Sequence, residues 1–394
     1  MKLTIRDFGV LIKILIVIIP AKIYHIFNRD IWIVSEYRNQ ARDNGYWFFK
    51  YLQDHHLHKQ VYYPINHKCQ DAQKLKNYAH VIEFGSWKHI FLFFCATKLI
   101  TSTQFQGLPY FKFFGYLINN GIQGGKYIFL NHGIAREYSS VLDPKLIKYD
   151  LIIAASQREA EVIIKENNQP AEKVKPVGFC RYDSLDDSLL EPKTILILPT
   201  WRKWLYQHHG SEEFDIEILE QHFLESNYYH QYMKLINDEN LIKFAEANNL
   251  KIRFCLHAYA KLFTSDFKTH SQVIEVVNIG DVFVQDELKK AAILITDYST
   301  VCFDFALMNK PVIYFQFDRE HFFEKQYSEG QYFTYANNGF GPVCLNEKAV
   351  VNYLMEAYKR QFKMEDTYVK RVNDYFDEQH HNHCEKVYHL VDEL

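Results

Sequence analysis

The chain has 394 residues, 48% of them hydrophobic, enough apolar material to fill two ordinary domain cores, which excludes a disordered polypeptide. Its formal net charge of −3 excludes the strongly basic face that binding to nucleic acid as the main partner would require. Seven cysteines, at positions 69, 95, 180, 255, 302, 344 and 384, contain no CxxC pair and cannot all pair with one another, so they read as reduced thiols, neither a disulfide frame nor a zinc site.

Residues 8 to 27, FGVLIKILIVIIPAKIYHIF, are almost wholly apolar but carry Lys13, Pro20 and Lys22. No small-residue cleavage site follows them, which argues against a signal peptide. A lysine inside a membrane span is costly, so the favoured reading is a segment lying in the membrane interface with its lysines at headgroup level; a single span and a buried core helix are the alternatives. A second apolar stretch, residues 90 to 100, is too short to span and suits a core element.

Beyond this leader, short apolar runs at Ile31–Val34, Val61–Tyr63, Leu99–Ile100, Tyr127–Leu130 and Leu151–Ala154 alternate with helical segments. That alternation predicts a parallel sheet flanked by helices. The acidic stretch DSLDDSLLEPK, residues 183 to 193, interrupts it before further runs at Ile195–Leu198, Ile252–Leu256, Val273–Val277, Ala292–Ile295 and Pro311–Phe315. The predicted organisation is an apolar membrane-associating segment over 1–28, one Rossmann-like domain over 29–190, a second over 191–370, and a tail over 371–394. The tail should end in a helix from Asn382 that most simply crosses back toward the first domain. Two doubly wound domains facing a cleft would suit a nucleotide-bearing substrate. Residues 201 to 240, which include His208 and His209, read as a helix-rich insertion.

The residues that could carry chemistry sit where strands end. Asn131-His132-Gly133 follows the run Tyr127–Leu130, and a histidine there is suited to take a proton near neutral pH; a strand-end histidine bonded to backbone is the plainer alternative. His257 follows Ile252–Leu256 in the same way. Pro199-Thr200-Trp201-Arg202 follows Ile195–Leu198, where Arg202 would offer a fork of donors to a phosphate or simply lie at the surface. Asp297-Tyr298-Ser299-Thr300 lies between a buried strand and a helix, a place that suits either phosphate binding or ordinary capping. Arg181 is expected to pair with Asp183 or Asp186. Gly339 and Gly341, in GFGP, permit close backbone approach in a loop. His380, His381 and His383 face different directions on a helix without a carboxylate or cysteine at ligand spacing, so they read as a solvated run and no metal is expected.

Taken in order, NHG, GFCRYD, ILPTWR, the LH of CLHAYA, ITDYSTVCFDFALMNKPVIYFQFD, GFGPV and YFDEQHHNHCEKVY resemble the CDP-glycerol glycerophosphotransferases of teichoic acid synthesis, over roughly residues 125 to 390. The resemblance implies the two-domain glycosyltransferase-B fold, with the first domain taking the acceptor and the second the CDP donor, and peripheral association with the cytoplasmic face of the plasma membrane. It implies transfer of glycerol phosphate from CDP-glycerol to a hydroxyl of a lipid-linked acceptor, an undecaprenyl-diphosphate disaccharide, with CMP released and no tightly bound cofactor. By position, His132 matches the general base and His257 a second active-site histidine beside the donor pyrophosphate, stabilising charge if protonated. Ser299 and Thr300 match the hydroxyl pair that holds phosphate, Asp297 orders their turn, and Arg202 and Arg181 stand where the family keeps arginines. Cys180 and Ala258 stand where prolines are usual, and the tail lacks the family's Asp-Gly pair and arginine. The short leader leans toward a primase adding a single unit; a CDP-glycerol or CDP-ribitol polymerase of teichoic acid or capsule, a sugar-nucleotide glycosyltransferase, and a membrane-associated binding protein with a decayed site are the rivals.

Overall fold

In a computed structural model of the chain, residues 4–394 are described apart from 29, 58, 206–215, 329, 331 and 377–380. His208, His209 and His380 lie outside the described residues. The chain divides into two units, Met1–Ser184 with Phe376–Leu394, and Leu185–Tyr375.

The first unit is built on a seven-stranded parallel sheet: β1 (Ile31–Ser35), β2 (Gln60–Ile65), β3 (Val81–Glu83), β4 (Lys98–Thr101), β5 (Lys126–Phe129), β6 (Leu151–Ile153) and β7 (Val174–Lys175), in the spatial order β3-β2-β1-β4-β5-β6-β7. Every residue of β1, β4 and β6 is buried, as expected of strands covered by helices on both faces. The order reverses between β1 and β4, and the carboxyl ends at such a reversal leave a crevice where ligands bind doubly wound sheets. β3 and β7, two to three residues long at the sheet's two edges, escape prediction because so few residues carry no period.

The second unit repeats the plan with β8 (Thr194–Ile197), β9 (Lys251–Leu256), β10 (Ile274–Asn278), β11 (Ile293–Thr296), β12 (Val312–Phe315) and β13 (Val343–Cys344), ordered β10-β9-β8-β11-β12-β13 and all parallel. Its reversal falls between β8 and β11, whose register sets Ile195 beside Ile293. The segment expected to be an insertion supplies part of the β8-to-β9 crossover: the helix Asn227–Ile236 buries Tyr228, Tyr232, Leu235 and Ile236 in the core of this unit. The expected fold of two doubly wound parallel sheets is thus present, one in each unit.

The amino-terminal helix α1 (Ile5–Phe27) begins in a capping box, Thr4 Oγ1 accepting from Asp7 N while Asp7 accepts from Thr4 N. It lies along the first unit. Val17 and Ala21 are buried against the helix Trp87–Cys95, the buried Asp7 accepts from Tyr110 Oη at 2.6 Å and from Lys112 Nζ at 2.8 Å, and His25 Nδ1 donates to the Cys95 carbonyl at 2.7 Å. The opposite face carries Phe8, Ile12, Leu15, Ile16, Ile19 and Ile23, each 54–72% exposed and spaced by one helical turn. Both lysines of this helix have contacts on the first unit. Lys22 Nζ donates to the Gln123 carbonyl at 2.9 Å and Lys13 Nζ lies 5.3 Å from the centroid of the Trp87 ring, because each finds an acceptor or an aromatic face on the unit itself. The segment Asp7–Phe27, of mean hydropathy 2.1, passes for a membrane span by length and composition alone.

The tail ends in the helix His383–Asp392, starting one residue after Asn382 as predicted, and belongs to the first unit. His383 corrects the reading of a solvated histidine run: it is buried, its Nδ1 donates to the Val177 carbonyl at 2.8 Å, and it fills the space over Gly178, whose φ is +84°. His381 is exposed, and among the described residues no cluster could hold a metal ion.

Gly339 and Gly341 are required by the chain's own packing. A Cβ on Gly341 would stand 1.7 Å from the Val312 carbonyl oxygen, and one on Gly339 2.3 Å from that of Tyr335. Gly341→Ala should therefore lower the unfolding free energy by about 1–3 kcal/mol or more through overpacking, measured as the shift of a chemical denaturation midpoint, and an unchanged midpoint would contradict this reading.

Candidate active site

At the reversal point of the second unit, Arg202 is completely buried. Its Nε donates to Asp318 Oδ2 at 2.8 Å, its Nη2 reaches Asp318 Oδ1 at 3.1 Å and Asp297 Oδ2 at 2.9 Å, and its Nη1 donates to the Thr200 carbonyl at 2.6 Å. The rings of Tyr228, Tyr298 and Phe322 stand 5.0–5.1 Å from the guanidinium. A buried charge is stable only when paired and hydrogen-bonded, and this one is. The arginine expected at a phosphate or at the surface is thus spent on two carboxylates; its geometry offers no fork to a ligand.

Asp297 is the residue through which this pair acts on the turn. Its Oδ1 accepts from Thr200 N at 2.8 Å and Tyr298 N at 2.6 Å, and its Oδ2 from Tyr232 Oη at 3.1 Å. It therefore stitches the loop after β8 to the loop after β11 and orders the turn that presents Ser299 and Thr300, both half-buried. Thr300 holds the N-cap position of the helix Val301–Leu307 without a side-chain capping bond, and Ser299 Oγ accepts only a long bond, 3.4 Å, from Val301 N. Neither the Ser299 nor the Thr300 backbone N–H bonds to another described residue. Capping alone leaves these groups unexplained.

His257 is half-buried just past β9, its ring stacked on Tyr259 and Trp201 with centroids at 5.2 and 6.0 Å. Its Nδ1 accepts from Tyr259 N at 3.3 Å, which leaves the proton on Nε2, and burial pushes its pKa down to about 4. The histidine expected to act when protonated is therefore neutral at pH 7 and presents an N–H donor rather than a cation.

In the first unit, Asn131 adopts the left-handed conformation, φ +62°, directly after Leu130 at the end of β5, and its Oδ1 accepts from His132 N at 2.8 Å. The buried Glu159 holds this turn from below, accepting from Asn131 Nδ2 at 3.2 Å and from Ala135 N at 2.6 Å. Burial raises the Glu159 pKa to about 7. The His132 ring is exposed, with Nδ1 against Asp43 Oδ2, and Gly133 follows half-buried. Asp43 immediately precedes helix α2 (Asn44–His55), and its Oδ1 accepts from Arg181 Nη1 at 3.2 Å. Arg181 Nη1 also donates to the His132 carbonyl at 3.2 Å. Asn44 completes the arrangement, donating to the Asn131 carbonyl at 2.8 Å and accepting from Arg181 N at 3.1 Å.

Arg181 therefore pairs with neither Asp183 nor Asp186. Asp183 is occupied by the first backbone N–H groups of the last helix, those of His383 at 2.8 Å and Cys384 at 2.7 Å, and Asp186 by Lys289 at 2.7 Å. Asp43 and Asn44 were not among the residues read from the sequence. The signal was available, since RDNG lies between β1 and the helix that follows it, as TDYST lies between β11 and its helix.

The sequence matches the family model described as CDP-Glycerol:Poly(glycerophosphate) glycerophosphotransferase over residues 20–393. The chain belongs to this glycerophosphotransferase family. It is 32% identical over 381 residues to the minor teichoic acid biosynthesis protein GgaB of Bacillus subtilis (strain 168), a match covering 94% of this chain and 41% of GgaB. With the teichoic acid glycerol-phosphate primase of the same strain it shares 22% identity over 243 residues, 58% of this chain and 54% of that protein. Of the curated relatives it matches, GgaB and the teichoic acid polymerases are proteins of which the chain spans less than half. Among solved structures, the wall teichoic acid polymerase TagF, H548A, aligns with a TM-score of 0.67 at 16% identity, over 92% of this chain and 89% of that one. At that identity the likeness shows the fold, and it is the family's two-sheet α/β fold that the two units display.

Within this family fold, the sequence-read residues fall into two groups: His132 and Arg181 with Gly133 in the first unit, and Asp297, Ser299, Thr300, Arg202 and His257 in the second. Arg202→Met, which leaves Asp297 and Asp318 buried without their cation, should cost about 3–5 kcal/mol of stability in denaturant unfolding; a cost below about 1 kcal/mol would show that the two carboxylates do not depend on it.

Proposed function

We propose that the chain transfers glycerol phosphate from CDP-glycerol to a hydroxyl of a lipid-linked saccharide in teichoic acid synthesis and releases CMP. The observation that carries this reading is the Ser299-Thr300 turn: two hydroxyls and two backbone N–H groups without a bond to another described residue, gathered after a parallel strand, are a set of donors suited to a phosphate. His257, a neutral donor at pH 7, is suited to a phosphoryl oxygen. His132 is suited to the acceptor, because its ring is exposed and its Nε2 has no partner among the described residues.

In the reaction, the acceptor hydroxyl oxygen attacks the β-phosphorus of CDP-glycerol, the new P–O bond forms as the bond to the bridging oxygen breaks, and CMP carries that oxygen away. The hydroxyl proton passes to His132 Nε2. Positioning and stabilisation of the developing charge supply most of the acceleration in phosphoryl transfer, and general-base catalysis on the order of 10²-fold or more. Arg202 contributes through Asp297, which fixes the phosphate turn, and not by contact.

Incubation of the protein with CDP-glycerol and a synthetic undecaprenyl-diphosphate disaccharide, followed by mass analysis, should show CMP and an acceptor heavier by glycerol phosphate. His132→Ala should reduce CMP release by about 10²-fold or more, and retention of more than about a tenth would remove its assignment as base. A single added unit supports a priming enzyme and a ladder a polymerase. Turnover of CDP-ribitol or of UDP-sugars in place of CDP-glycerol would overturn the named donor.

The position we propose is peripheral, on the cytoplasmic face of the plasma membrane, and the exposed apolar face of α1 supports the membrane contact. With Asp7, Lys22 and His25 bonded to the first unit, the helix lies along that unit and turns its apolar stripe outward, as an interfacial helix does. Each large aliphatic side chain moved from water into hydrocarbon contributes about 1.5–3 kcal/mol. The combined substitution Ile12→Asp, Leu15→Asp and Ile19→Asp should therefore weaken sedimentation with phosphatidylglycerol-containing vesicles more than tenfold, and unchanged sedimentation would remove the stripe from the membrane contact.

A further inference from the structure

We propose that Asp43 is the positioning residue of His132: it accepts the Nδ1 proton, holds the imidazole in one tautomer, and turns the Nε2 lone pair outward. Its consequence for catalysis rests on the reading of His132 as the base.

Asp43 stands at the N-cap of α2, where an aspartate ordinarily accepts from the backbone N–H groups of the first turn. It makes no side-chain capping bond, and of the first-turn amides only that of the adjacent Asn44 bears on its carboxylate. The buried Glu36, just past β1, has taken that task, its Oε1 accepting from Asp43 N at 3.0 Å and Tyr46 N at 2.6 Å and its Oε2 from Arg42 N at 3.0 Å. Gly45 permits this closeness, since a Cβ there would come within 2.8 Å of the Glu36 side chain. The Asp43 carboxylate is thereby released from capping, and its two oxygens divide between Arg181 and His132.

The backbone on either side is fixed independently of the ring. Asn44 binds the Asn131 carbonyl, Asn131 binds His132 N, and Arg181 binds the His132 carbonyl, so the imidazole meets Asp43 from one direction. An acceptor-only partner requires a donor, and a neutral imidazole that donates from Nδ1 carries its lone pair on Nε2.

The charged groups that face His132 are Asp43 at the start of α2, Glu36 past the end of β1 and Arg181 in the turn Cys180–Ser184. Tyr37 adds a ring edge at 6.5 Å. Asp43 is the strongest influence and raises the His132 pKa, Glu36 adds to the rise, and Arg181 and the partial desolvation of the ring by the surrounding loops oppose it. His132 in turn helps hold the Asp43 carboxyl below its ordinary range. A base of raised pKa becomes available only as the pH passes that pKa, so removing the Asp43 charge moves the acid limb of kcat/KM to lower pH while lowering kcat.

The experiment is histidine-selective ¹⁵N NMR of the full chain with His132→Gln as the assignment control, on the unaltered protein and on Asp43→Asn, alongside kcat and kcat/KM against pH. We expect neutral His132 of the unaltered protein as the Nδ1–H tautomer, a lower His132 pKa in Asp43→Asn, an acid limb shifted to lower pH, and kcat reduced on the order of 10²-fold. An Nε2–H tautomer in the unaltered protein, or a His132 pKa unmoved by Asp43→Asn, overturns the proposal, and the first of these needs no variant to fold. If the tautomer and the pKa behave as expected while His132→Ala retains activity, Asp43's hold on the ring stands and the base assignment alone falls.

Discussion

A guanidinium with no access to water fixes the second unit's site. Arg202 is tolerable in the core because Asp297 and Asp318 neutralise it and the Thr200 carbonyl takes a remaining N–H, in a cage of aromatic rings. The pair is costly to assemble, but its arrangement leaves Asp297 with lone pairs to spare. Those lone pairs tie Thr200 and Tyr298 together across the reversal between β8 and β11. Tyr298, stacked on Phe322 at 3.7 Å and bonded to Asp318, closes the same network from its other side. The half-buried Ser299-Thr300 turn is therefore the exposed tip of a buried ionic cluster, and its conformation does not need a ligand to define it.

The first unit solves the equivalent problem with carboxylates turned onto backbone amides. Glu36 serves the start of α2, and Glu159 serves the turn that carries His132. Both are buried deeply enough that their pKa values are raised to about 7. Their hydrogen bonds free two side chains, Asp43 and Asn44, to reach across to β5 and to the segment around Arg181. The same division of labour recurs at the tail, where Asp183 receives the first amides of the last helix and leaves Arg181 to Asp43. Loops that carry chemistry are thus held by side chains from neighbouring loops, as strand ends at a sheet reversal allow.

Much of this was visible in the sequence because parallel strands buried on both faces are continuous apolar runs. Ile31–Val34, Ile195–Leu198 and Pro311–Phe315 announced β1, β8 and β12 within a residue or so at each end. The edge strands β3, β7 and β13 did not, being two or three residues long and partly exposed. His132 was legible as a residue at a strand end, but its partner was not: Asp43 is 89 positions away and comes near only through the sheet order. Arg202 was legible as an arginine at a strand end and misread in its role, since sequence spacing does not show that a phenylalanine- and tyrosine-rich core closes over it. His383 was misread for a similar reason, its burial depending on the space above a left-handed Gly178 far away in the chain.

The account stands or falls on where the donor phosphates rest. Amide hydrogen exchange of the full chain, with and without saturating CDP-glycerol, addresses this directly, because the Ser299 and Thr300 amides have no bond to another described residue to slow them. The account predicts slowed exchange in the peptide spanning Asp297–Val301 when CDP-glycerol is present. Slowing confined to other segments, with this peptide unchanged, would contradict it.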